Sequence, residues 1–311
     1  MGKVTIVGSY VVDLMSRTSR LPKPGETILG RTFKMGPGGK GGNQATAAAK
    51  CGSDVSYLTK VGNDVFGQEA LHHFKSVGID ISTIIVDEQN ETGTALIIVD
   101  NKSENSIVVT LGACGTISKE DVDNFEAKIA SADIVLLQLE TSLEAIEETV
   151  KLAAKHQKKV ILNPAPYQQF PLVLLKNVDY ITPNETEASE ITGIEVTDEA
   201  SALEAAKKMY ALGVPNVIIT LGSKGAFVYQ GDQGQLISSY NVAVIDTTGA
   251  GDAFNGGLAH FLSEGYELEE AVKNSNAVAA LSVTKVGTAP AMPSKADILQ
   301  FLHENDLEGI V

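Results

Sequence analysis

A glycine-rich loop precedes a helical pattern in the last third of this 311-residue chain. The segment AVIDTTGAGDAFNGG runs from an apolar strand pattern through Gly249, Ala250 and Gly251 to a helix expected to begin at about Asp252. Glycines before a helix let the backbone approach a ligand, and the free N–H groups and the helix dipole together attract an anion. Asp252 lies in the first turn, where it either belongs to that site or only complements the helix dipole.

A second glycine-rich stretch reads KMGPGGKGGNQATAAAK. It matches the GxGxxG spacing by letter, but a proline interrupts it and no apolar strand precedes it, so it does not predict dinucleotide binding. No Ser or Thr follows its Gly-Lys pair, which excludes a P-loop. Lys40 and Asn43 project from a loop that opens an Ala-rich helix, an arrangement that suits a hydroxyl-rich ligand. The alternative is a flexible surface loop.

Polar residues also follow two apolar strand patterns further along the chain. Asn184 and Glu187 lie three residues apart at a helix start, which suits a carboxylate that holds hydrated Mg²⁺ beside a phosphate. The same spacing suits an ordinary capping box equally well. The turn TLGSKG, which begins at Thr220, could hold a nucleotide base and phosphates or could be a plain hairpin turn. These two segments leave both alternatives open.

An acidic residue, Asp13, follows the first strand pattern in the stretch GSYVVDL. It could be ordinary surface, a cap, or a group that receives a ligand. Ligands of open α/β sheets bind outside the carboxyl ends of the strands, which is where this residue is expected to lie. Asp13 is therefore a candidate acceptor of hydrogen bonds from a bound molecule.

Apolar runs alternate with helical patterns along most of the chain, which predicts a mainly parallel sheet covered by helices on both faces. The expected strands are Val4–Val7, Asp54–Thr59, Asp133–Leu139, Val160–Leu162, Val178–Ile181 and Asn216–Thr220. The expected helices are Gln44–Lys50, Phe66–Val77, Lys119–Ile129, Leu143–His156 and Asp198–Leu212, with a capping box between Ser118 and Asp121.

Two regions break this alternation. Residues 13–34 hold no long helical pattern, and the runs TALIIVD and SIVVT flank a polar turn at Asn101–Asn105 in the manner of a hairpin. Both regions fit a small β-structured excursion over one edge of the main body. With no low-complexity linker and no internal repeat, the chain is expected to form one main domain with a β lid.

The composition excludes several classes of function. A net charge of −15 argues against sequence-independent binding to nucleic acid, which requires clustered Lys and Arg. No apolar run approaches the roughly 18 residues that span a bilayer, and no secretory signal is visible. The two cysteines, Cys51 and Cys114, have no CxxC partner and are expected to be free thiols in the cytoplasm.

Taken together, the motifs resemble those of the ribokinase-like sugar kinases, the PfkB-type carbohydrate kinase family. The resemblance extends over nearly the whole chain, in the family's order, through GSYVVDL, GGKGGNQA, QLE, NPAP, PNETE, TLGSKGA, DTTGAGDAFNGG and VTKVGTAPAMP. It implies an α/β fold, a three-layer αβα sandwich with a mainly parallel central sheet and a small β-sheet lid. It also implies a single domain over residues 1–311, a lid of about residues 13–35 and 92–112, and a homodimer through the lids.

The resemblance implies an ATP-dependent kinase that phosphorylates the 5-hydroxyl of a pentose, with Mg²⁺ and K⁺. Asp252 matches the family's general base, and Gly249, Ala250 and Gly251 match its anion hole. Sugar binding falls to Val11, Asp13, Gly39, Lys40, Gly41, Asn43, Glu140 and Asp252. ATP binding falls to Asn184, Thr220, Leu221, Gly222, Ser223, Lys224, Gly225, Gly251 and Asn276. Glu187 is linked to Mg²⁺ through phosphate or water, and K⁺ to Asp246, Thr248, Ser282, Lys285, Gly287 and Ala291.

One position departs from the family pattern. Members that phosphorylate ribose usually carry Asn two residues before Asp13, whereas this chain has Val11, as members that phosphorylate 2-deoxyribose have an apolar residue there. The sugar is therefore expected to be D-ribose or 2-deoxy-D-ribose. Nucleoside, fructose-phosphate and ketohexose kinases are the alternatives within the family. A non-catalytic binding protein is the alternative outside it, although Asp252 and the GAG loop are intact.

Overall fold

The computed structural model describes residues 1–102 and 104–308, with side chains up to Asn305. Within these residues the chain forms fourteen strands and ten α-helices. The strands are β1 (Lys3–Val7), β2 (Val11–Arg17), β3 (Thr32–Gly38), β4 (Asp54–Leu58), β5 (Lys60–Gly62), β6 (Ile85–Asp87), β7 (Thr92–Val99), β8 (Asn105–Gly112), β9 (Ile134–Gln138), β10 (Lys159–Asn163), β11 (Tyr180–Ile181), β12 (Asn216–Thr220), β13 (Gly225–Tyr229) and β14 (Gly234–Ser238). The helices are α1 (Lys40–Cys51), α2 (Val65–Ser76), α3 (Lys119–Asn124), α4 (Glu126–Ser131), α5 (Leu143–Lys155), α6 (Glu185–Thr192), α7 (Glu199–Ala211), α8 (Ala250–Ser263), α9 (Leu268–Ser282) and α10 (Lys295–Glu308).

Eight strands form the central sheet, in the order β14-β13-β12-β11-β10-β9-β1-β4. Six of them are parallel, and the hairpin strands β13 and β14 run antiparallel at one edge. Helices α3 to α7 cover one face and α1, α2, α8, α9 and α10 cover the other, so the core divides into two apolar layers. The inner strands are buried on both faces, which is why their Val, Ile and Leu residues run without alternation. The predicted mainly parallel sheet between helices is confirmed.

A separate four-stranded sheet, in the order β3-β2-β7-β8, stands beside this body. Its residues alternate between two faces. The row Met35, Leu14, Leu96 and Val108 lies on one face, and the row Lys34, Met15, Ile97 and Ile107 lies on the other. We call these the outer face and the inner face. The predicted small second sheet is therefore present, although Ser103 in the predicted turn of its hairpin lies outside the described residues.

One predicted helix differs from the structure, and one alternative that the sequence left open is decided. The helix expected over Lys119–Ile129 is two helices, because the chain turns at Phe125 between α3 and α4; the capping box of Ser118 and Asp121 is present. The segment after Thr220 continues as an antiparallel hairpin, which the sequence left as an open alternative. In the part of the chain that the structure describes, no helix combines the length and apolar character needed to cross a membrane.

Candidate active site

Polar side chains gather at the carboxyl ends of the parallel strands. Gln138 and Asn163 are the last residues of β9 and β10, Thr182 follows β11, and Thr220 ends β12. Each follows a run of buried apolar residues, and neighbouring parallel strands end at the same edge of the sheet. Each of these strands therefore places one polar side chain at the same edge of the sheet. The helices that follow these strands begin at this edge.

The carboxylate of Asp252 is buried at this edge, in the first turn of α8, with 7% of its surface exposed. The helix begins at Gly249, which adopts φ 79°, a left-handed conformation that favours glycine. Asn43 Nδ2 donates to Asp252 Oδ2 at 2.9 Å, and Gln44 Nε2 donates to Asp252 Oδ1 at 3.0 Å. Both carboxylate oxygens therefore receive an N–H donor from the facing helix α1.

Helix α1 reaches Asp252 because glycines let its first turn lie against the backbone that links β1 and β2. Gly39 adopts φ 79°, and a Cβ atom on Gly41 would lie 2.7 Å from the amide nitrogen of Ser9. The amide of Gly42 donates to the carbonyl of Ser9 at 2.9 Å. A larger residue at position 41 would push α1, and with it Asn43, away from the site.

A small polar cavity of about 130 Å³ opens beside Asp252. Its wall includes the Lys40 side chain and the loop at the start of α8, together with polar groups from three strand ends. The lining residues are Lys40, Asn163, Ala165, Thr182, Asn184, Glu187, Thr220, Thr247, Gly249, Ala250, Gly251, Asp252 and Asn255. A Cβ atom on Gly251 would meet open space, so backbone at this position faces the cavity without obstruction. Size, donors and shape suit a phosphate group.

A second cavity of about 380 Å³ lies between the inner face of the small sheet and the loops that flank α8 and follow α9. Asp13, Met15 and Ile107 line it on the sheet side, and Ile245 and Thr288 line it on the loop side. Thr247 lines this cavity and the smaller one, so the two adjoin. A ligand in the larger cavity can therefore reach a group bound in the smaller one.

Three carboxylates share this junction. Burial, together with the charges of Glu140 and Asp252, raises the pKa of the Asp13 carboxyl to about 7, and the hydrogen bond with Thr288 opposes this rise. Glu140 accepts the hydroxyl of Ser9 and, at 2.8 Å, the amide of Lys40. The junction is rich in acceptors, as a polyhydroxyl ligand requires.

The side chain of Lys40 offsets part of this negative charge. Burial lowers its pKa, but the carboxylates of Asp252, Glu140 and Glu187 outweigh that effect and leave the pKa above its ordinary value. Lys40 therefore stays protonated on the wall of the small cavity. A cation held there suits a ligand that brings negative charge.

Asn184 and Glu187 form the capping box that the sequence allowed. The Asn184 side chain accepts the Glu187 amide at 2.8 Å, and the Asn184 amide donates to the Glu187 carboxylate at 3.0 Å. Both residues also line the small cavity, so the capping geometry does not remove them from the site. Burial raises the pKa of Glu187, and the charge of Asp252 adds to the rise. The hydrogen bond from the backbone N–H of Asn184 and the charge of Lys40 oppose it without reversing it.

Three of the residues predicted for ATP binding, Asn184, Thr220 and Gly251, line the small cavity, and the other six do not. Thr220 lines it, and the exposed turn Gly222–Lys224 continues from β12. Leu221 packs its side chain into the core, and Gly225 is buried at the start of β13. Asn276, on α9, donates its amide to the carbonyls of Ile237 and Ser238 at 3.0 and 3.2 Å, where it holds strand β14.

The residues predicted for K⁺ belong to two loops that Asp246 joins. One Asp246 oxygen accepts the amide and hydroxyl of Thr248 at 3.0 and 2.7 Å, and the other accepts the Gly287 amide at 3.0 Å. Burial raises the pKa of Asp246, but these hydrogen bonds outweigh it and lower the pKa overall. Ser282 ends α9, Lys285 follows it in the second loop, and Ala291 is buried in the short helical turn beyond.

Val11 lies on the same face of β2 as Asp13 but does not line either cavity described above. Its side chain is 2% exposed and packs with Ala95 and Cys114 in a small apolar cluster. The wall behind Asp13 is therefore apolar. No polar side chain stands at this position to pair with a ligand hydroxyl.

Five further polar residues lie in or beside the motifs given above, but no role is predicted for them from the sequence. These are Gln44, Gln138, Asn163, Thr182 and Asn255, all of them buried. A signal was available for three of them, since a polar residue directly after an apolar strand marks the ligand edge of a parallel sheet. Gln44 and Asn255 lie within helical patterns of small residues, where only the packing of α1 against α8 reveals what they face.

Comparison with known proteins gives a consistent result over the whole chain. Residues 1–295 match the pfkB family carbohydrate kinase. A ribokinase of Haemophilus influenzae is 43% identical, covering 96% of this chain and 98% of its own, and a deoxyribokinase of Salmonella typhimurium is 37% identical, covering 97% and 99%. The structure of Arabidopsis thaliana ribokinase complexed with ribose and ATP matches with a TM-score of 0.89 at 32% identity, covering 97% of this chain and 98% of that one.

Proposed function

The chain belongs to the pfkB family of carbohydrate kinases, and from that premise we propose that it transfers the γ-phosphoryl group of ATP to the 5-hydroxyl of D-ribose. The observation that carries the proposal is the buried Asp252 carboxylate, which lines the phosphate-sized cavity that adjoins the larger one. The names of the similar proteins, ribokinase and deoxyribokinase, support a pentose as the substrate.

Asp252 acts as the general base in this proposal. Its carboxylate accepts the proton of the sugar hydroxyl as that oxygen attacks the phosphorus. Phosphoryl transfer passes through a loose transition state in which the proton leaves late, so a weak base suffices if it is well placed. The donors from Asn43 and Gln44 keep the carboxylate in one orientation, which is the placement that such a base requires.

The start of α8 supplies the anion hole. The amides of Gly249, Ala250 and Gly251 lie at the N-cap and first turn of α8, where they would stabilise negative charge on the transferred group. The Ala250 amide donates to the Thr247 carbonyl at 3.2 Å in this structure, so it would exchange that partner for the phosphoryl group. Lys40 adds a positive charge on the wall of the same cavity. From the small cavity, the triphosphate of ATP would extend past Asn184 and Thr220, and the nucleoside would lie toward the turn Gly222–Lys224.

Mg²⁺ fits the donor set of the small cavity. In the described part of the chain, no group of three or more His, Cys, Asp or Glu side chains could hold a metal by itself. Mg²⁺ commonly binds one carboxylate, substrate phosphates and several waters, so the buried Glu187 carboxylate suffices as the protein's contribution. Bound there, Mg²⁺ would neutralise phosphate charge, while Asn184 keeps the Glu187 side chain in position.

K⁺ fits the two loops that Asp246 ties together. A hard monovalent cation takes oxygen ligands, and both Asp246 oxygens already accept protein donors, so backbone carbonyls of these loops would supply most of the site. The residues are those predicted from the sequence, Asp246, Thr248, Ser282, Lys285, Gly287 and Ala291. A cation there would order the loop that leads into Gly249 and the anion hole.

The sugar occupies the larger cavity in this proposal. Asp13 lines this cavity, whereas Asn43 and Glu140 present oxygen acceptors next to Asp252 and the backbone of Lys40. The Oδ1 atom of Asn43 has no hydrogen-bond partner among the described residues although it is buried. An orphaned acceptor of this kind costs free energy until a donor arrives, and a sugar hydroxyl supplies one. Gly39 and Gly41 allow the close approach of α1 that brings these groups together.

2-Deoxy-D-ribose is the second candidate substrate, because Val11 offers no hydrogen bond to a hydroxyl. The apolar cluster of Val11, Ala95 and Cys114 stands behind Asp13 on the inner face of the small sheet. An unpaired hydroxyl buried against such a wall costs roughly 1–3 kcal/mol. A sugar that lacks the 2-hydroxyl avoids this cost.

In this proposal the small sheet forms a lid over the sugar, built from about residues 13–35 and 92–112. The same sheet forms the interface of a homodimer. Its inner face lines the larger cavity, while its outer face exposes apolar side chains: Phe33 is 63%, Leu96 53% and Val108 62% exposed. A monomer leaves this surface in water, whereas a second lid would cover it. The buried free thiols Cys51 and Cys114 suit the reducing cytoplasm, where we place the enzyme.

A coupled ADP-release assay over ribose, 2-deoxyribose, fructose, ketohexose phosphates and nucleosides tests the proposal. We expect turnover with a pentose, dependent on Mg²⁺ and increased by K⁺. Asp252→Asn keeps the size of the side chain and should fold, yet reduce kcat at least about a hundredfold, because a general base contributes that much or more. Turnover with none of the sugars, or more than about a hundredth of wild-type kcat in Asp252→Asn, would contradict it.

A further inference from the structure

The side chain of Gln44 is buried against Asp252, and both of its polar atoms are hydrogen-bonded within the protein. Its Nε2 donates to Asp252 Oδ1 and to Asn163 Oδ1, both at 3.0 Å. Its Oε1 accepts from Gln138 Nε2 at 2.7 Å. A side-chain amide has two N–H donors, and both are engaged here. Gln44 therefore has no donor left to offer a ligand.

Neighbouring amides fix the direction in which Gln44 points. A flipped Gln44 amide would turn its oxygen toward Asn163 Oδ1 and Asp252 Oδ1 and its nitrogen toward Gln138 Nε2, which loses all three hydrogen bonds. Asn163 is itself held, because its Nδ2 donates to the carbonyl of Thr182 at 2.9 Å. The oxygen of Asn163 must therefore face Gln44. Asp252 meets an N–H donor and never the amide oxygen.

The same network reaches the backbone beside Asp252. The Thr182 hydroxyl donates to Asn255 Oδ1 at 2.6 Å, and Asn255 Nδ2 donates to the carbonyl of Gly251 at 2.8 Å. The chain of hydrogen bonds thus joins the ends of β9, β10 and β11 to the first turn of α8. The five amide and hydroxyl side chains of the network expose at most 6% of their surface, so water does not compete for the hydrogen bonds between them.

The two amides that contact Asp252 differ in one respect. Asn43 Oδ1 is without a partner among the described residues and can accept from a substrate hydroxyl, whereas every polar atom of the Gln44 side chain is paired. We infer that Gln44 is a positioning residue, whose amide, hydrogen-bonded to Gln138 and oriented by Asn163, holds the Asp252 carboxylate in the orientation that accepts the sugar proton. This inference rests on the proposed kinase function.

Two replacements of Gln44 test the inference. Gln44→Met keeps the length but removes the donor, and Gln44→Glu keeps the shape but places an acceptor against the carboxylate. We expect kcat to fall roughly tenfold to a hundredfold in both, since misplaced catalytic groups cost about that much, with KM for ATP within about twofold. The acidic limb of the kcat profile should move up by about one pH unit, because a hydrogen bond to the ionised form is lost.

Thr46→Val is the matched control. Thr46 is as deeply buried in the same helix and donates to the carbonyl of Gly42 at 2.9 Å, away from Asp252. It should leave the kcat profile unchanged. If Gln44→Met does not fold, Gln138→Met removes the lock without touching Asp252 and should give a smaller change in the same direction. Folded variants with wild-type kcat and an unmoved acidic limb would overturn the inference.

A crystal structure of the unliganded Gln44→Met variant separates this inference from the proposed function. The structure needs no substrate, and the Asp252 carboxylate should leave the orientation in which its two oxygens face Gln44 and Asn43. An unchanged carboxylate orientation refutes the role of Gln44 even if the enzyme phosphorylates a pentose. Absence of turnover in the wild type, with the carboxylate reoriented as expected in the variant, refutes the kinase proposal and keeps the carboxylate-holding role.

Discussion

The acidic residues of the site carry opposite demands for stability and for binding. Asp13 accepts ligand hydroxyls in the proposed reaction, yet without a ligand its carboxylate is half-buried near Glu140 and Asp252. A group that is costly in the free protein and satisfied in the complex makes the site less stable than its surroundings. This conflict is common at functional sites, where residues are kept despite their cost to folding.

Asp13→Asn should stabilise the unliganded protein at alkaline pH. The folded-state pKa of Asp13 is about 7, above its ordinary value of 3.8, so the folded protein retains a proton over pH 4–7 that the unfolded chain has lost. The stability that this proton confers is present below pH 4 and is lost as pH rises through 7. In urea unfolding, the free energy of unfolding of the variant should therefore increase relative to that of wild type between pH 5 and pH 8. The affinity of the variant for the pentose should fall.

Asp54→Asn, which neutralises an exposed acid on β4, is the control for this experiment. Its free energy of unfolding should follow that of wild type over the same pH range. An Asp13→Asn variant that gains no stability relative to wild type between pH 5 and pH 8 would show that burial of this carboxylate carries no cost.

Val11→Asn should shift the preference between pentoses. The amide would offer a partner for a hydroxyl at the place where the chain now has the apolar cluster with Ala95 and Cys114. We expect the ratio of kcat/KM for ribose over 2-deoxyribose to rise about tenfold, the equivalent of one neutral hydrogen bond. An unchanged ratio in a folded variant would remove Val11 from the account of sugar specificity.

The active site depends on how closely α1 and α8 cross. Asn43 and Gln44 belong to the first helix and Asp252 to the second, so the distance between the helices sets both hydrogen bonds to the carboxylate. A Cβ atom on Gly256 would lie 2.5 Å from Ala47 Cβ and 2.6 Å from the carbonyl oxygen of Gln44. This glycine permits the close crossing.

Gly256→Ala should destabilise the protein and impair catalysis together. The added methyl group meets backbone of α1, and overpacking of this kind costs roughly 1–3 kcal/mol. Gly257→Ala is the control, because its methyl group would meet the Val278 side chain at 3.0 Å on α9 instead. Both replacements of Gly by Ala raise helix propensity by about 1 kcal/mol. The difference between the two variants in free energy of unfolding therefore measures the clash between α1 and α8. Equal free energies of unfolding and equal kcat for the two variants would contradict this account.

At the scale of the whole molecule, the proposed function gives the small sheet two roles. Its inner face lines the larger cavity, and its outer face exposes Phe33, Leu96 and Val108. A dimer through the outer face would leave the inner face free to bind the sugar. Assembly and catalysis would then share one sheet without competing for the same side chains.

Val108→Lys should convert the proposed dimer into a monomer. A charge at the centre of an apolar interface is costly to bury, whereas in the monomer it is solvated. Light scattering at micromolar concentration should give twice the chain mass for wild type and the single-chain mass for the variant. Leu299→Lys, at an exposed leucine on α10, is the control and should stay dimeric. A monomeric wild type, or a dimeric Val108→Lys, would rule out this interface.

The sequence by itself determined the classes of element and the groups that could do chemistry. Continuous Val, Ile and Leu runs, as in β9, predict strands buried on both faces, and polar residues such as Asn184 after such runs lie at the ligand edge. The glycines before Asp252 indicated an anion site from backbone chemistry alone. Local signals of this kind depend only on residues near each other in the chain, which is why the sequence alone reveals them.

Only the tertiary structure decided which residues meet. Gln44 and Asp252 are 208 positions apart, and neither the spacing nor the composition of α1 indicates that this amide faces the carboxylate. Val11 occupies the expected position in the sequence, but packing directs its side chain into an apolar cluster. The turn at Phe125 divides a continuous helical pattern. Burial, hydrogen-bond pairing and the electrostatics of grouped carboxylates depend on contacts between distant segments, and those contacts exist only in the folded chain.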